Sequence, residues 1–577
     1  NNIQLFSHYL LVLMQDHPTI FGTALGQAPT LTYSFASASS FSVDTAYGQF
    51  SNTEHGEWFA YSSELITFTT EEQNLIRKSL NDWANASGIT FTETIEDGTS
   101  YGTLRFFKQD FDALEAALGS DTVYATAAGY AYSPYGDVLE GDVYLDKDQF
   151  GLEHYGYTLV SHEIGHALGL SHSFDGLVAD NSIKNNMSVM TYDQGTGTYL
   201  NDAGGQLSAM PMYLDIKAME YLYGGSDAAN LGDTTYSVGS MRGVQEDYDN
   251  HYFRYSILDD GGHDTIDFSL APNSIFIDLR PGGWSSTFGN EDLTLNETIK
   301  YQNGELYIDA NADIENALGS NYGDLIFDNS LANLIHAGSG HDVIYSLAGD
   351  DIIDGGDGSD HVYTDWASPD NIISATLLGD TYEFSDGTRT LTVKNVDKLF
   401  FNSGTQEVVV HELYLSKNMS GYNIVSGTEG DDDLSGTAGD DYFFTYDGYD
   451  IVHGSAGNDI IDFGTNEENR IDYRNSGLDS VKVNLSSATI NGIDSGYAHK
   501  VHSGASMYSD HFITLPSWVF LTDGNDEFYG GNVSGTNFVN PGKGNDIISD
   551  FGHVHYDVYI SDGAISDISA HKASANS

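Results

Sequence analysis

The spacing of apolar positions changes along the chain, and each period predicts a different element. Leu31-Thr32-Tyr33-Ser34-Phe35 alternates apolar and polar side chains, the two-residue period of a strand. Thr69-Thr70-Glu71-Glu72 is a capping box, and Leu75, Ile76, Leu80 and Trp83 follow at helical spacing until Gly88. Residues 89–94, 103–107, 129–132 and 141–145 read as further strands of a small sheet. Helical spacing returns at 159–172, where Leu159, Val160, Ala167 and Leu168 form the buried side. Residues 211–223 predict another helix, with Pro211 near its start, Ile216, Met219 and Leu222 inward, and Gly224-Gly225 as its stop. A domain boundary is expected near residue 225. Residues 5–14 are apolar but too short to span a membrane; they read as a packed helix or as a propeptide remnant.

From residue 319 the period becomes nine. Asp324, Asp342, Asp351 and Asp360 fall on it, with Asn333 at the missing step, and Ile326, Ile344, Ile353 and Val362 stand two residues after the aspartates. Glycines crowd the intervening positions, as in Gly355-Gly356-Asp357-Gly358-Ser359-Asp360. The phase returns at Asp432, Asp441, Asp450 and Asp459, with Leu434, Phe443, Val452 and Ile461, and shorter echoes lie at Asp264, Asp526 and Asp546. Strict phasing of acid with apolar residue argues against a disordered acidic tail. Strand-rich pieces at 381–404 and 471–491 interrupt the period.

The candidate chemistry lies in His162-Glu163-x-x-His166-x-x-Gly169-x-x-His172. Histidines four apart share one helix face and can grip one metal ion. Glu163 is adjacent but turned from the metal's ligand shell, where a general base for water belongs. Gly169 can adopt the left-handed conformation that ends the helix and returns the chain, so that His172 approaches as third ligand. Three imidazoles with an open position describe a catalytic zinc site rather than a structural one.

These residues, with Ser188-Val189-Met190-Thr191-Tyr192 after them, resemble the metzincin proteases and their Met-turn. Tyr192 narrows the resemblance to the serralysin-type enzymes and the related astacins. The resemblance implies a zinc endopeptidase in which Met190 floors the site and Tyr192 is a displaceable extra ligand that then stabilises the oxyanion. It also implies that an edge strand near Ala128, Gly129, Tyr130 and Ala131 binds substrate as an added strand. The nine-residue motif resembles the RTX repeat, which implies a parallel β-roll with structural Ca²⁺ held between turns by the aspartates named above. The expected fold is therefore an α+β metzincin catalytic domain followed by all-β parallel β-roll domains. Four segments are expected: an N-terminal piece 1–28, a protease domain 29–225, linker strands and a first roll 226–365, and a strand-rich extension with more repeats 366–577. The resemblance is close over 29–365 and only of RTX style beyond.

Composition narrows the partners. Lys+Arg number 21 against 85 Asp+Glu, a net charge of −64 that repels nucleic acid and anionic membranes and attracts cations. Without cysteine there is neither a disulfide framework nor thiolate chemistry. No apolar run reaches membrane-spanning length. The chain does not begin with Met, so a preceding segment is expected to have been removed or not included. The resemblance implies a secreted, extracellular bacterial protein, one catalytic Zn²⁺, several Ca²⁺, protein or peptide substrates, a proteinaceous inhibitor as a candidate partner, and a monomer. Serralysins commonly end in an acidic and apolar export tail; residues 569–577 are small and polar, so another export route or a trimmed end is expected. Two other readings stand beside the protease: a calcium-dependent surface or matrix binder, motivated by the long extension, and a zymogen inhibited by residues 1–28.

Overall fold

The computed structural model describes residues 13, 20–36 except 23, 65–96, 100–118, 127–150 except 137–138, 154–173, 187–191, 207–237 except 209 and 227–228, 253–286, 306–530 except 465–467, 487–488 and 490–492, 538–550 except 545, and 557–558. The described part is mostly β with few helices. The chain divides into two units, Asn1–Asn371 with Leu378–Glu407, and Ile372–Leu377 with Val408–Ser577.

The first unit opens on a five-stranded sheet. Its strands are β1 (Thr30–Phe35), β2 (Thr90–Glu93), β3 (Leu104–Gln109), β4 (Gly129–Ala131) and β5 (Asp142–Asp146), in the order β2-β1-β3-β5-β4. All neighbours are parallel except β4, which runs antiparallel to β5 at one edge. Helix α1 (Thr70–Ser87) carries the expected capping box at Thr69 and ends at Gly88, whose φ is 75°. Its Leu75, Ile76, Leu80 and Trp83 are buried. A short helix, α2 (Phe111–Leu118), stands between β3 and β4 where the apolar pattern had suggested none. The Asp110 carboxylate caps it by accepting from the Ala113 amide at 2.9 Å.

Helix α3 (His154–Ala167) lies against α1, and the indole N–H of Trp83 donates to the Ser161 carbonyl at 3.0 Å. Helix α4 (Tyr213–Tyr223) begins two residues after Pro211, because the Met212 amide is tied off by the Asp215 carboxylate at 2.9 Å. Within 1–28, Leu13 and Phe21 are buried, and the Leu13 carbonyl accepts from the Ser171 amide at 2.8 Å.

Much of the rest of the first unit is a stack of short, mostly parallel strands in two sheets, and Leu207–Ser208, Phe253–Ile257, Trp284–Ser285 and Leu306–Ile308 form a separate four-stranded sheet. One runs through Phe276–Asp278, Leu325–Phe327, Val343–Ser346, His361–Thr364 and Lys398–Phe401. The other runs through Thr235–Ser237, Thr265–Asp267, Asn316–Leu318, Leu334–His336, Asp351–Asp354 and Thr390–Lys394. Stacking thus begins near residue 235, well before the nine-residue period becomes visible at 319, and it continues past 365 to 401. Strands nine residues apart belong to different sheets, so each pairs with the strand eighteen residues on, as Ile326 does with Ile344 and Ile335 with Ile353. Ile326, Ile344, Ile353 and Val362 are all fully buried. The second unit repeats the scheme: Phe443 pairs with Ile461, and Leu434 with Val452 and then Ile471. Phe443, Val452, Ile461 and Ile471 share one core cluster, into which Leu434 packs half-buried.

Candidate metal centre

Helix α3 carries His162 and His166 one turn apart on one face. The helix ends at Ala167, Gly169 turns the chain at φ 103°, and the Leu170 amide reaches back to the Gly165 carbonyl at 2.9 Å. This reversal returns His172 to the same face. The three Nε2 atoms stand 3.1 Å from one another, a full triangle.

The far side of two rings decides the state of these nitrogens. His162 Nδ1 lies 2.8 Å from the Val189 carbonyl and His166 Nδ1 2.8 Å from the Leu170 carbonyl. A carbonyl only accepts, so each Nδ1 carries the proton and each Nε2 presents a bare lone pair. Burial, reinforced by the neighbouring histidines, holds His162 well below its ordinary range and His166 down to about 3, so both are neutral. Bare lone pairs converging at this distance repel unless a cation lies among them. Zinc, with imidazole bonds of about 2.0–2.1 Å, suits this donor set and spacing.

Glu163 is buried, its Oε2 has no hydrogen-bond partner, and burial raises its carboxyl to about 8. A cation nearby pulls such a group back toward ionisation. A Cβ at Gly129 would stand 3.1 Å from Glu163 Oε1 and 3.0 Å from the Tyr144 carbonyl, so any larger residue here would press on the carboxylate and on β5. Gly129 lies on the edge strand β4. The backbone of β4 bonds β5 through Ala128–Asp146 and Tyr132–Asp142. By the alternation of an antiparallel pair, Gly129 and Ala131 therefore direct their amides and carbonyls away from β5. Tyr130, between them, stacks on Tyr144 at 4.6 Å.

Two further residues, Gly165 and Asp215, support the floor that Met190 forms, and the sequence assigned neither of them a role there. Met190 is fully buried beneath α3, and a Cβ at Gly165 would come within 2.4 Å of its sulfur. A glycine inside a helix costs about 1 kcal/mol against alanine, which is the one signal that could have flagged Gly165. Asp215, on α4, accepts from the Ser188 hydroxyl at 2.6 Å, the Val189 amide at 2.7 Å and the Met212 amide at 2.9 Å. Burial still raises its carboxyl to about 7. Asp215 thus grips Val189, the residue whose carbonyl orients His162. Tyr192 lies outside the described residues.

The aspartates of the repeats form ladders. Asp324 donates its amide to Asp342 Oδ1 at 2.7 Å, and Asp342 to Asp360 Oδ1 at 2.8 Å. Asp351 accepts from the Asn333 amide, and Asp264 from the Thr234 amide. In the second unit Asp432 donates to Asp450, Asp441 to Asp459, and Asp526 to Asp546. One carboxylate oxygen of each acceptor is so engaged. The second oxygens of Asp264, Asp342, Asp360 and Asp450 are buried without a partner. Burial raises Asp264, Asp324 and Asp526 to about 6 and Asp342 to about 7. Unpaired buried carboxylate oxygens are the donor set of a hard cation such as calcium.

The Matrixin family profile matches residues 57–190, and the profile of the RTX calcium-binding nonapeptide repeat (4 copies) matches 327–362 and 426–464. The chain carries a matrixin domain and RTX calcium-binding repeats. Serralysin B of Dickeya chrysanthemi is 29% identical over 336 residues, which are 54% of this chain and 62% of that protein. Serralysin of Proteus mirabilis is 29% identical over 337 residues, with 54% and 62% covered. Metallopeptidase AprA of Pseudomonas marginalis is 26% identical over 321 residues, with 53% and 61% covered. The chain thus spans just over three-fifths of the length of these relatives. The helix that carries His162 and His166, together with His172 and Met190, falls inside the matrixin match, whereas Asp215 lies beyond it.

Proposed function

We propose that the chain is a secreted zinc-dependent endopeptidase whose RTX repeats fold into calcium-loaded parallel β-rolls. The observation that carries this is the triangle of three imidazole Nε2 atoms 3.1 Å apart, beside a buried, unpartnered Glu163 carboxylate oxygen and bordered by a strand edge. His162, His166 and His172 would hold the zinc, which supplies Lewis acidity and makes water acidic enough to act near neutral pH. Glu163 takes the proton of the attacking water and passes it to the leaving amine. The outward backbone groups of Gly129 and Ala131 bind the substrate as an added strand and align its scissile carbonyl. Met190, set against Gly165, keeps the floor of the site rigid. Protein or peptide chains are the substrates, and the extracellular space supplies the calcium. No helix among the described residues is long and apolar enough to cross a membrane.

The test is hydrolysis of casein by the full chain and by Glu163→Ala, with and without a zinc chelator, in excess Ca²⁺ throughout. Activity should vanish on chelation, return with Zn²⁺, and be absent in the variant although it still binds zinc. A wild-type chain that binds zinc with calcium present and cleaves neither casein nor short peptides would refute the proposal.

A further inference from the structure

Lys500 is fully buried in the second unit, on the inward side of the strand Tyr497–His502. Alternation along that strand gives the inward positions to Ala498 and Lys500, so an ammonium stands where an apolar side chain belongs. A register shift between Lys500 and Val501, against the antiparallel strand Ala505–Phe512, marks a bulge immediately after Lys500. Its Nζ donates to Asp459 Oδ2 at 2.9 Å, to the Ser455 carbonyl at 2.9 Å, and to Asp510 Oδ1. An ammonium has three hydrogens, and these oxygens take all of them.

Two of these oxygens belong to a repeat turn. Asp459 is the phased aspartate of 454–459, and Ser455 is the second residue of that turn. Asp510 occupies the next aspartate place on the ladder: it accepts the Asp459 amide at 3.1 Å, as Asp459 accepts the Asp441 amide at 3.0 Å. Yet Asp510 does not come from a nonapeptide. It lies on a hairpin inserted into the array, and the other strand of that hairpin carries Lys500. Its remaining oxygen accepts from the Tyr473 hydroxyl at 2.6 Å. The buried second oxygen that is unpartnered at Asp342 and Asp450 is at Asp459 occupied by the Lys500 ammonium, with the Ser455 hydroxyl also donating to it at 3.1 Å.

We propose that the Lys500 ammonium is the resident cation of the 454–459 turn, taking the place between Asp459 and Asp510 that calcium takes in an uninterrupted repeat. This turn then closes without calcium and gives the second unit a fixed point from which loading of the neighbouring turns proceeds. The array would bind fewer calcium ions than its phased aspartates suggest, and Asp459 would not be a calcium ligand. A related placement appears independently in the first unit. Arg389, on the hairpin next to the 346–351 turn, donates to the carbonyl of Leu347, the second residue of that turn, at 2.6 Å. Where a hairpin replaces the next nonapeptide, a basic side chain reaches the turn's carbonyl.

The inference rests on calcium loading of the repeats, and the experiment separates the two. Bound calcium is counted by equilibrium dialysis on the full chain, as wild type, Asp342→Asn, Asp510→Asn and Lys500→Met, alongside melting in chelator and in Ca²⁺. Asp342→Asn should lose at least one ion and Asp510→Asn none. Lys500→Met should gain one ion and recover the wild-type melting temperature only when calcium is present. Loss of an ion in Asp510→Asn would overturn the proposal, as would an unchanged count in folded Lys500→Met. If Lys500→Met does not fold, Asp510→Asn decides alone. No loss in Asp342→Asn would remove the calcium reading and this proposal with it.

Discussion

Replacing Asp215 by alanine should loosen the metal without touching a ligand. Three donors lose their acceptor: the Ser188 hydroxyl and the amides of Val189 and Met212. Each stranded buried donor costs about 1–3 kcal/mol, so the low end of the sum is roughly 3 kcal/mol. Some of this returns, because burial has already raised the Asp215 carboxyl to about 7 and its removal ends that desolvation. Water entering the vacated space satisfies part of the remainder. The consequence for the metal runs through one residue, Val189. With its amide free, Val189 shifts, and its carbonyl, 2.8 Å from His162 Nδ1, no longer orients that ring. Loss of such an outer contact typically weakens a metal site about 10- to 100-fold. The assay is competition for zinc against a chelating dye in excess Ca²⁺, paired with thermal melting of the same samples. Asp215→Asn, which keeps one acceptor oxygen, should fall between wild type and alanine in both. An Asp215→Ala chain that melts earlier yet binds zinc within twofold of wild type would refute the link from Asp215 through Val189 to His162.

Other predictions address the edge strand and the repeats. Gly129→Ala brings a methyl group to 3.1 Å from Glu163 Oε1, and kcat/KM on a peptide substrate should fall by up to about 100-fold with zinc content unchanged; full activity would show that the carboxylate has room to spare. In chelator, the repeats should lose stability as pH rises. Burial raises Asp324 and Asp526 to about 6 and Asp342 to about 7 from an ordinary 3.8, so their contribution is whole below about pH 4 and gone above pH 7. Calcium should reverse this trend, and a calcium-free melting temperature equal at pH 5 and pH 8 would count against it. Ile353→Ala, in a core supplied by one apolar side chain per turn, should cost about 2–5 kcal/mol, and Ile353→Val about 0.5–1.5 kcal/mol, by denaturant unfolding in Ca²⁺.

Some of this protein is determined by local sequence, and the physical reason is short range. Histidines four apart share a face on any α-helix, so His162 and His166 were legible as a candidate metal pair before any fold was known. The Thr69–Glu72 capping box started α1 as expected because both of its hydrogen bonds close within one turn. A phased aspartate and apolar residue need only an eighteen-residue pairing to build a ladder, so Ile326, Ile344 and Ile353 were legible as core. Other features were decided by tertiary structure alone. Asp215 supports His162 across more than fifty residues of chain, and nothing in Leu-Asp-Ile distinguishes it from any acid in a first helical turn. Gly129 and Gly165 matter for what they let approach, Glu163 in one case and Met190 in the other. Stacking begins near residue 235 because strand pairing tolerates turns that break the nine-residue period. Lys500 shows the division most clearly. In sequence it is an ordinary lysine in an alternating strand; its meaning comes from the hairpin that carries it inward among Ser455, Asp459 and Asp510, where buried oxygens require a positive charge.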